Sequence, residues 1–257
     1  MKRIATFAAA SMLLSAATSS QAETFYTNTN LQVLTGSGYT TPFGPDAGEE
    51  SDGTMFTFQH FGAYDWGKVL MFMDRFKSGD KEALGDDSFI KIAPDISLTG
   101  GKGFADSIIK DIYLTTIYEQ SQPNNTDNYA AGFGVTWNIP GITFLDTNIY
   151  LRDNGNTPFE KGIDNNYQFT VAWDVPFNIG VAKFSFGGFT HFVTSADFDG
   201  GNLNSTIQAQ PNLKLDLGNF WNQPNKYLVG FELDYWQNKF GGDEDQAVLQ
   251  AMAQVNF

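Results

Sequence analysis

The last twelve residues, Gln246 to Phe257 (QAVLQAMAQVNF), alternate between two kinds of side chain up to the end of the chain. Ala247, Leu249, Ala251, Ala253, Val255 and Phe257 occupy one set of positions, and all of the Gln and Asn residues occupy the other, together with Val248 and Met252. Because successive side chains of a strand point to opposite faces, this period of two predicts a strand with one apolar face. Termini usually fray in soluble proteins, so alternation up to a final Phe favours the closing strand of a membrane β-barrel.

The same alternation recurs in segments of about 10 to 13 residues, the length that a tilted strand needs to cross a bilayer. The clearest examples pair outward aromatic and aliphatic residues with inward Gln, Asn, Thr and Gly, which suits a confined wet lumen. The sequence predicts twelve strands: Phe25 to Leu34, Thr54 to Tyr64, Lys68 to Phe76, Phe89 to Leu98, Ile108 to Glu119, Asn128 to Trp137, Ile142 to Arg152, Asn166 to Val175, Val181 to Thr194, Thr206 to Leu217, Lys226 to Trp236 and Gln246 to Phe257.

The predicted fold is therefore all-β, an antiparallel up-and-down transmembrane barrel with an even strand number, as bacterial barrels require. Its connections alternate between a mostly short set, such as Asp65 to Gly67, and a longer acidic set, such as Thr35 to Gly53 and Ser195 to Asn204. From a periplasmic amino-terminus, the short set faces the periplasm and the long set the exterior. Pro94 and Pro211 each remove a ladder hydrogen bond, so we expect irregular backbone at both.

The amino-terminus predicts export. Lys2 and Arg3 precede an apolar run from Ile4 to Ala17, and Ser20-Gln21-Ala22 places small residues where a signal peptidase cleaves. The run is too short and too rich in small residues for a membrane anchor. We therefore expect a secretory signal peptide over 1–22, and an outer-membrane barrel domain over 23–257.

Composition excludes several classes of protein. Cysteine is absent, so neither disulfides nor thiolate metal sites stabilise the fold. The formal net charge of −14 argues against nucleic-acid binding, which needs a basic surface. After the signal, no stretch approaches the ~20 apolar residues of a membrane helix. Outer-membrane barrels commonly end in Phe, so we expect Phe257 to be read by the barrel assembly machinery.

Several stretches, in order, resemble the Tsx-type nucleoside-specific channels of Gram-negative outer membranes. They include Tyr39 to Pro45 with its Phe-Gly-Pro, the strand-turn-strand Thr54 to Asp74, Ile92 to Leu98 with its internal proline, and Tyr227 to Gly241. Asp111 to Tyr113 and Asn148 to Arg152 also have counterparts. The resemblance covers most of the mature chain and implies a monomeric barrel of about twelve strands with a narrow pore. The segment Leu70 to Met73 is more hydrophobic than in typical members of this family, and the ligand-binding positions of the family cannot be matched individually.

Strand parity predicts a lumen lined by charges of both signs interleaved with aromatic residues, which suits neutral polar solutes better than ions of one sign. For each of these residues, a lumenal salt bridge or a solvated wall is the plainer interpretation. The sequence hypothesis is that Tyr113, Tyr150 and Trp236 stack on a nucleobase and that Asp111, Arg152, Lys214 and Asp234 bind the sugar. The other expected lumenal residues are Asp95, Asp146, Asn148, Asp174, Lys183, Asp216 and Glu232.

Catalysis is disfavoured because a Ser/His or Asp/His site needs a histidine base, and only His60 and His191 are present. Gly100 to Gly103 reads as a turn, without the spacing of a phosphate-binding loop. The acidic rim of the long loops suggests solvated charge or bridging of divalent cations to glycolipid. We therefore expect a nucleoside channel without cofactor, in contact with outer-membrane lipid and glycolipid. The alternatives are a general small-solute porin and a receptor or adhesion barrel.

Overall fold

A computed structural model describes residues 22–79, 85–104, 106–122, 126–156, 162–198 and 200–257. The expected signal peptide falls almost entirely outside the described residues, so cleavage after Ala22 stays a prediction. Within the described part, no helix is long and apolar enough to span a membrane.

The described residues form a closed antiparallel β-barrel of twelve strands in which neighbours in sequence are neighbours in space. One barrel strand is interrupted and consists of two pieces, Thr206–Ala209 and Asn212–Asp216. A small hairpin, in which Ala196–Phe198 pairs with Gly201–Leu203, is not part of the barrel wall. The strands are β1 Thr24–Thr40, β2 Glu50–Tyr64, β3 Gly67–Ser78, β4 Asp87–Ser97, β5 Ile109–Gln122, β6 Thr126–Trp137, β7 Phe144–Asn156, β8 Asn166–Ile179, β9 Ala182–Val193, β10 Ala196–Phe198, β11 Gly201–Leu203, β12 Thr206–Ala209, β13 Asn212–Asp216, β14 Tyr227–Gln237 and β15 Gln246–Asn256.

The carboxy-terminal strand closes the barrel, as its alternation predicted. β15 pairs with β14 on one side and with β1 on the other, over the rungs from Asn30–Asn256 to Thr35–Ala251. The backbone N–H of Phe257 donates to the carbonyl of Thr29 at 2.9 Å, which extends the seam to the last residue. Closure removes the exposed edges that an open sheet would present.

The two faces of the wall follow the predicted parity. Along β15, Leu249 is 64% exposed to the outside, whereas its neighbour Val248 is fully buried inside. In a membrane the exposed apolar side chains contact lipid, and the inward side chains enclose the lumen. The all-β barrel fold and its strand number are confirmed.

Several strands extend further outward than the alternation predicted. β1 continues to Thr40 and β2 begins at Glu50, so the predicted loop Thr35 to Gly53 was wrong in its bounds and shrinks to 41–49. Apolar alternation marks only the part of a strand that contacts lipid, while backbone pairing continues above it with polar residues. The predicted loop Ser195 to Asn204 likewise contains the β10–β11 hairpin.

The two prolines disturb the sheet to different degrees. Pro211 separates β12 from β13, and Gly188, at φ +135, lies opposite the break where a Cβ would meet the Gln210 carbonyl at 2.2 Å. At Pro94 the strand continues and pairs with β3, but the ladder to β5 lacks its rungs there. The Thr116 hydroxyl donates to the Pro94 carbonyl at 2.9 Å. Irregularity is thus a strand break at Pro211 and only missing rungs at Pro94.

Candidate functional site

The lumen carries a first charged cluster centred on Lys68, the first inward residue of β3. Its Nζ lies 2.7 Å from Asp146 Oδ2 and 3.8 Å from Asp95 Oδ2, and donates to the Thr136 hydroxyl at 3.0 Å. The same ammonium lies 4.3 Å from the centroid of the Tyr113 ring. One cation is therefore shared by two carboxylates, which β4 and β7 contribute.

A second cluster is centred on Glu119 of β5. Its two oxygens pair with Lys91 Nζ at 3.1 Å and with Arg152 Nη2 at 3.0 Å. The Arg152 guanidinium also donates to Gln168 Oε1, whose amide in turn donates to the Thr170 hydroxyl at 2.9 Å. Here two cations share one carboxylate. The ion pairs and hydrogen bonds of this cluster link side chains from β4 to β8.

Both clusters reach across β6 because the inward side chains of that strand are small. Its central inward positions are Ala130, Gly132 and Gly134, and a Cβ on Gly134 would lie 2.0 Å from Asn148 Oδ1. The space allows side chains of β5 and β7 to meet, as in the 3.0 Å bond from the Thr115 hydroxyl to the Tyr150 phenol. We call this side of the lumen, around Lys68, Glu119 and their partners, the paired wall.

The opposite side, on β13 and β14 with the facing part of β8, is arranged differently. Lys214 faces Asp174 and Glu232, but among the described residues none of these carboxylates has a lysine or arginine nitrogen within 4 Å. Glu232 instead accepts from the Asn212 amide at 3.4 Å. We call this side, comprising Asp174, Lys214, Glu232 and Asp234, the open wall.

Asp234 links the open wall to the outer mouth. Its oxygens accept from the amides of Gln210 and Gln246, at 3.0 and 2.6 Å, and from the indole N–H of Trp236 at 2.9 Å. Lys239, in the loop between β14 and β15, donates to Gln246 Oε1 at 2.5 Å and to the Thr40 carbonyl at 2.8 Å. Its burial lowers the pKa of Lys239 to about 8, although nearby carboxylates oppose the shift.

The predicted site residues all lie on inward faces, but they do not form one cluster. Tyr113, Lys214 and Trp236 are partly exposed within the lumen, whereas Asp111, Tyr150, Arg152 and Asp234 are each less than 10% exposed. Asp111 accepts from Ser97 and Thr99 hydroxyls at 2.7 Å near the periplasmic turn, and Tyr150 packs against Ile117 and Ala130. Contact of any of them with a solute stays a prediction.

Sequence reasoning missed two cations, Lys68 on β3 and Lys91 on β4, and it missed Glu119, the carboxylate that pairs with Lys91 and Arg152. It also missed inward aromatic residues such as Phe72 and Phe89, whose rings lie 5.6 Å apart. On β3 the run Leu70 to Met73 is apolar on both faces, so alternation gives no parity there. Extending the parity of Lys68 and Asp74 along β3 would have placed Phe72 inside, and extending that of Asp95 along β4 would have placed Phe89 inside.

The two histidines lie on opposite faces of the wall. His60 lies on the outer face, where its Nδ1 is 2.8 Å from the Thr29 hydroxyl. His191 faces inward, with Nδ1 2.8 Å from the Thr170 hydroxyl and its ring 4.5 Å from that of Phe189. These partners are a hydroxyl and an aromatic ring of the lumen wall, and the expectation that neither histidine is catalytic stays a prediction.

The predicted acidic rim includes carboxylates with partners in the protein. Asp86 pairs with Lys77 at 2.6 Å and with Arg75 at 3.3 Å. Asp245 accepts the Asn238 backbone N–H at 2.8 Å. Within the described ranges, no group of three or more potential ligands could hold a metal ion. The remaining rim residues named by the sequence are Asp46, Glu49, Glu50, Asp52, Asp87, Asp243 and Glu244.

Comparison with known proteins gives a family and a fold. The family model described as "Nucleoside-specific channel-forming protein, Tsx" matches residues 25–256. A NanC porin structure is similar at TM-score 0.51 and 9% identity, covering 88% of this chain and 100% of that one. A KdgM porin (TM-score 0.45, 9% identity, 90% and 99% covered) and an outer membrane channel from Pseudomonas putida F1 (0.44, 10%, 91% and 97%) are also similar. No curated protein matches.

Proposed function

Because this chain belongs to the Tsx family of nucleoside-specific channel-forming proteins, we propose that it lets nucleosides or similar small polar solutes diffuse across the membrane without cofactor or reaction. The barrel lies in the outer membrane and forms a channel. Selectivity for nucleosides is our proposal for this chain, because the NanC porin, at 9% identity, shares its fold alone. The observation that carries it is the family match over nearly the whole barrel.

The lumen supports a neutral polar solute. A pore lined by one sign of charge selects counter-ions, whereas here the paired wall cancels most of its own charge. Partly exposed Tyr113 and Trp236 offer π-faces for a base, and partly exposed Lys214 offers a donor for sugar hydroxyls. With twelve strands, the barrel is wider than side-chain-filled eight-stranded barrels and narrower than general porins.

We propose that Tyr113, Tyr150 and Trp236 stack on the base. We propose that four further residues bind the sugar, and of these the partly exposed Lys214 is the most available. The other three side chains already form hydrogen bonds within the wall, so each must form one more bond to contact a solute. The sugar-binding set is Asp111, Arg152, Lys214 and Asp234.

Single-channel recording in planar bilayers tests the function. A small current that adenosine or thymidine blocks reversibly is expected, because a bound nucleoside excludes ions from a narrow pore. Large currents indifferent to nucleosides would favour a general porin, and absence of current would favour a receptor or adhesion barrel. We further expect the protein to fold as a monomer when assembled through its terminal Phe257.

Matched substitutions test whether the proposed residues contact the nucleoside. Trp236→Leu and Lys214→Met should each weaken the nucleoside block, while Lys183→Met, an inward lysine near the periplasmic turn, should not. Replacement of Asp111 and Tyr113 without any change in nucleoside flux would remove those two from the site.

A further inference from the structure

A cavity of about 460 Å³ lies among the outer loops, separate from the lumen residues described above. Three connections contribute described residues to it: 41–49 between β1 and β2, 194–198 and 200–205 around the β10–β11 hairpin, and 238–245 between β14 and β15. We call it the three-loop cavity. Its volume is within the usual range of small-molecule sites.

Hydrogen bonds between the loops hold the cavity in shape. Asn204 donates its backbone N–H to the Gly241 carbonyl at 2.9 Å, and its amide donates to the Gly242 carbonyl at 3.2 Å and to Asp243 Oδ1 at 2.9 Å. The first loop closes on itself through Thr41 N–H to the Glu49 carbonyl at 2.9 Å. A preformed cavity loses less conformational entropy on binding than loops that must order around a solute.

Where the loops meet, the backbones lie very close together. A Cβ on Gly242 would lie 2.6 Å from the Pro42 carbonyl oxygen and 3.1 Å from the Phe43 ring, and one on Gly241 would lie 2.8 Å from Leu203 Cβ. The two adjacent glycines therefore let the first and third loops touch beside the hairpin. Larger residues there would separate the loops or fill the cavity between them.

The walls of the three-loop cavity combine aromatic rings with acceptors. Phe43 and Phe198 line it, together with the carboxylates of Asp243 and Glu244. Among the described residues, neither carboxylate has a lysine or arginine nitrogen within 4 Å. The lining thus suits a flat ring that carries donor groups, and it repels anions, because carboxylates without a cation partner accept hydrogen bonds and set a negative potential.

An aromatic pair lies directly before the third loop's part of this region in the sequence. Phe240, directly before Gly241, has φ +55, a left-handed backbone that bulky residues rarely adopt. Its ring lies 4.6 Å from that of Trp236, an inward residue of β14. Strained backbone of this kind persists only where the surroundings hold it in place, and here it holds an aromatic ring at the top of the lumen.

We propose that the three-loop cavity is an outer capture site for nucleoside-class solutes, which leave it past Phe240 and Trp236 into the lumen. The proposal rests on the proposed function for the identity of the solute. Capture at the mouth raises the local solute concentration and therefore the rate of association from the outside only. It leaves the rate of association from the periplasmic side unchanged.

A filling substitution tests this by comparing the two sides of one bilayer. Ala47→Trp fills the cavity from the first loop, and Glu49→Trp places the same ring on the same loop outside the lining. With thymidine added from the outside, Ala47→Trp should slow the onset of block roughly fivefold, given the range over which association rates vary between variants. Onset from the periplasmic side and the open-channel conductance should stay as in the wild type, as should all rates in Glu49→Trp.

A direct measurement of thymidine binding tests the capture site independently of the transport function. A Phe43→Trp variant should change its tryptophan emission on addition of thymidine by more than the wild type does, and Glu244→Gln on that background should reduce the change. Emission change without any current block would retain the capture site and overturn the transport function. Block with equal onset in Ala47→Trp and wild type, and no emission change, would overturn the capture site alone.

Discussion

The charged side chains of the paired wall and of the open wall have different partners. On the paired wall, Lys68 lies between two carboxylates and Glu119 between two cations, at 2.7 to 3.8 Å. On the open wall, Glu232 and Asp234 bond to amides and an indole instead, and Lys214 has no carboxylate within 4 Å among the described residues.

This difference suggests that one wall contributes to the stability of the barrel and the other to its selectivity for solutes. Charges that are paired in a confined wall cancel their field, and loss of one partner leaves the other uncompensated. Unpaired carboxylates keep their field and can attract cations or donor groups from the solution. We therefore expect the paired wall to stabilise the barrel and the open wall to select what passes.

The largest effect should come from the cation shared by two carboxylates. Lys68→Met leaves Asp95 and Asp146 facing each other without a counter-charge, which should lower the free energy of unfolding by about 3–5 kcal/mol. Urea unfolding in detergent micelles measures it. Lys214→Met on the open wall is the matched control, and a loss of similar size there would refute the division into two walls.

The next effect depends on pH and concerns the cation at the outer end of the open wall. Burial lowers the pKa of Lys239 from 10.5 to about 8. Between these values the unfolded chain holds a proton that the folded protein has released, so stability should rise from pH 8 to about pH 10.5. The full rise is on the order of 3 kcal/mol. The pH dependence of urea unfolding in Lys239→Met, subtracted from that of the wild type, isolates this contribution; identical pH profiles would contradict it.

A smaller loss is expected from a carboxylate that keeps one of its two cations. In Arg152→Met, Glu119 still pairs with Lys91 at 3.1 Å. The free energy of unfolding should therefore fall by about 2 kcal/mol, the scale of a lost charge-assisted hydrogen bond. A loss as large as that of Lys68→Met would show that the two clusters are not distinguished by their ratio of cations to carboxylates.

The smallest effect in energy should appear in ion selectivity. The wild-type pore should prefer K⁺ over Cl⁻, and Glu232→Gln should reduce the permeability ratio roughly two- to threefold because it removes one unpaired lumenal charge. The Gln side chain can still accept the bond from Asn212. Reversal potentials across a KCl gradient measure the ratio. Glu49→Gln, in an outer loop, should leave it unchanged, and an unchanged ratio in Glu232→Gln would mean that the open wall does not set selectivity.

The local alternation of apolar and polar residues was sufficient to predict, for most of the barrel wall, which side chains face lipid and which face the lumen. Wherever apolar and polar residues alternate, as in β6 and β15, one face contacts lipid and parity is fixed by the cost of exposing polar groups to hydrocarbon. The pattern failed on β3, where Leu70 to Met73 is apolar on both sides, and above the membrane, where strand pairing continues to Thr40 without apolar alternation.

The candidate site was predictable only as a set of inward residues. Parity places Tyr150 and Lys214 on the same face of the wall, but it cannot show that Tyr150 is packed against Ile117 while Lys214 is partly exposed. That difference depends on the small residues of β6, which let β5 and β7 meet across it. The three-loop cavity depends likewise on contacts between loops that are distant in sequence, such as Gly242 with Pro42 and Asn204 with Gly242.

The sequence by itself determined that this chain forms a closed transmembrane barrel, because an alternation of period two is a local property read along each strand. Only the tertiary structure decided which lumenal charges are paired, which aromatics are open, and that the outer loops enclose a cavity. Those features depend on stagger between strands and on contacts between distant loops, and no single segment carries that information.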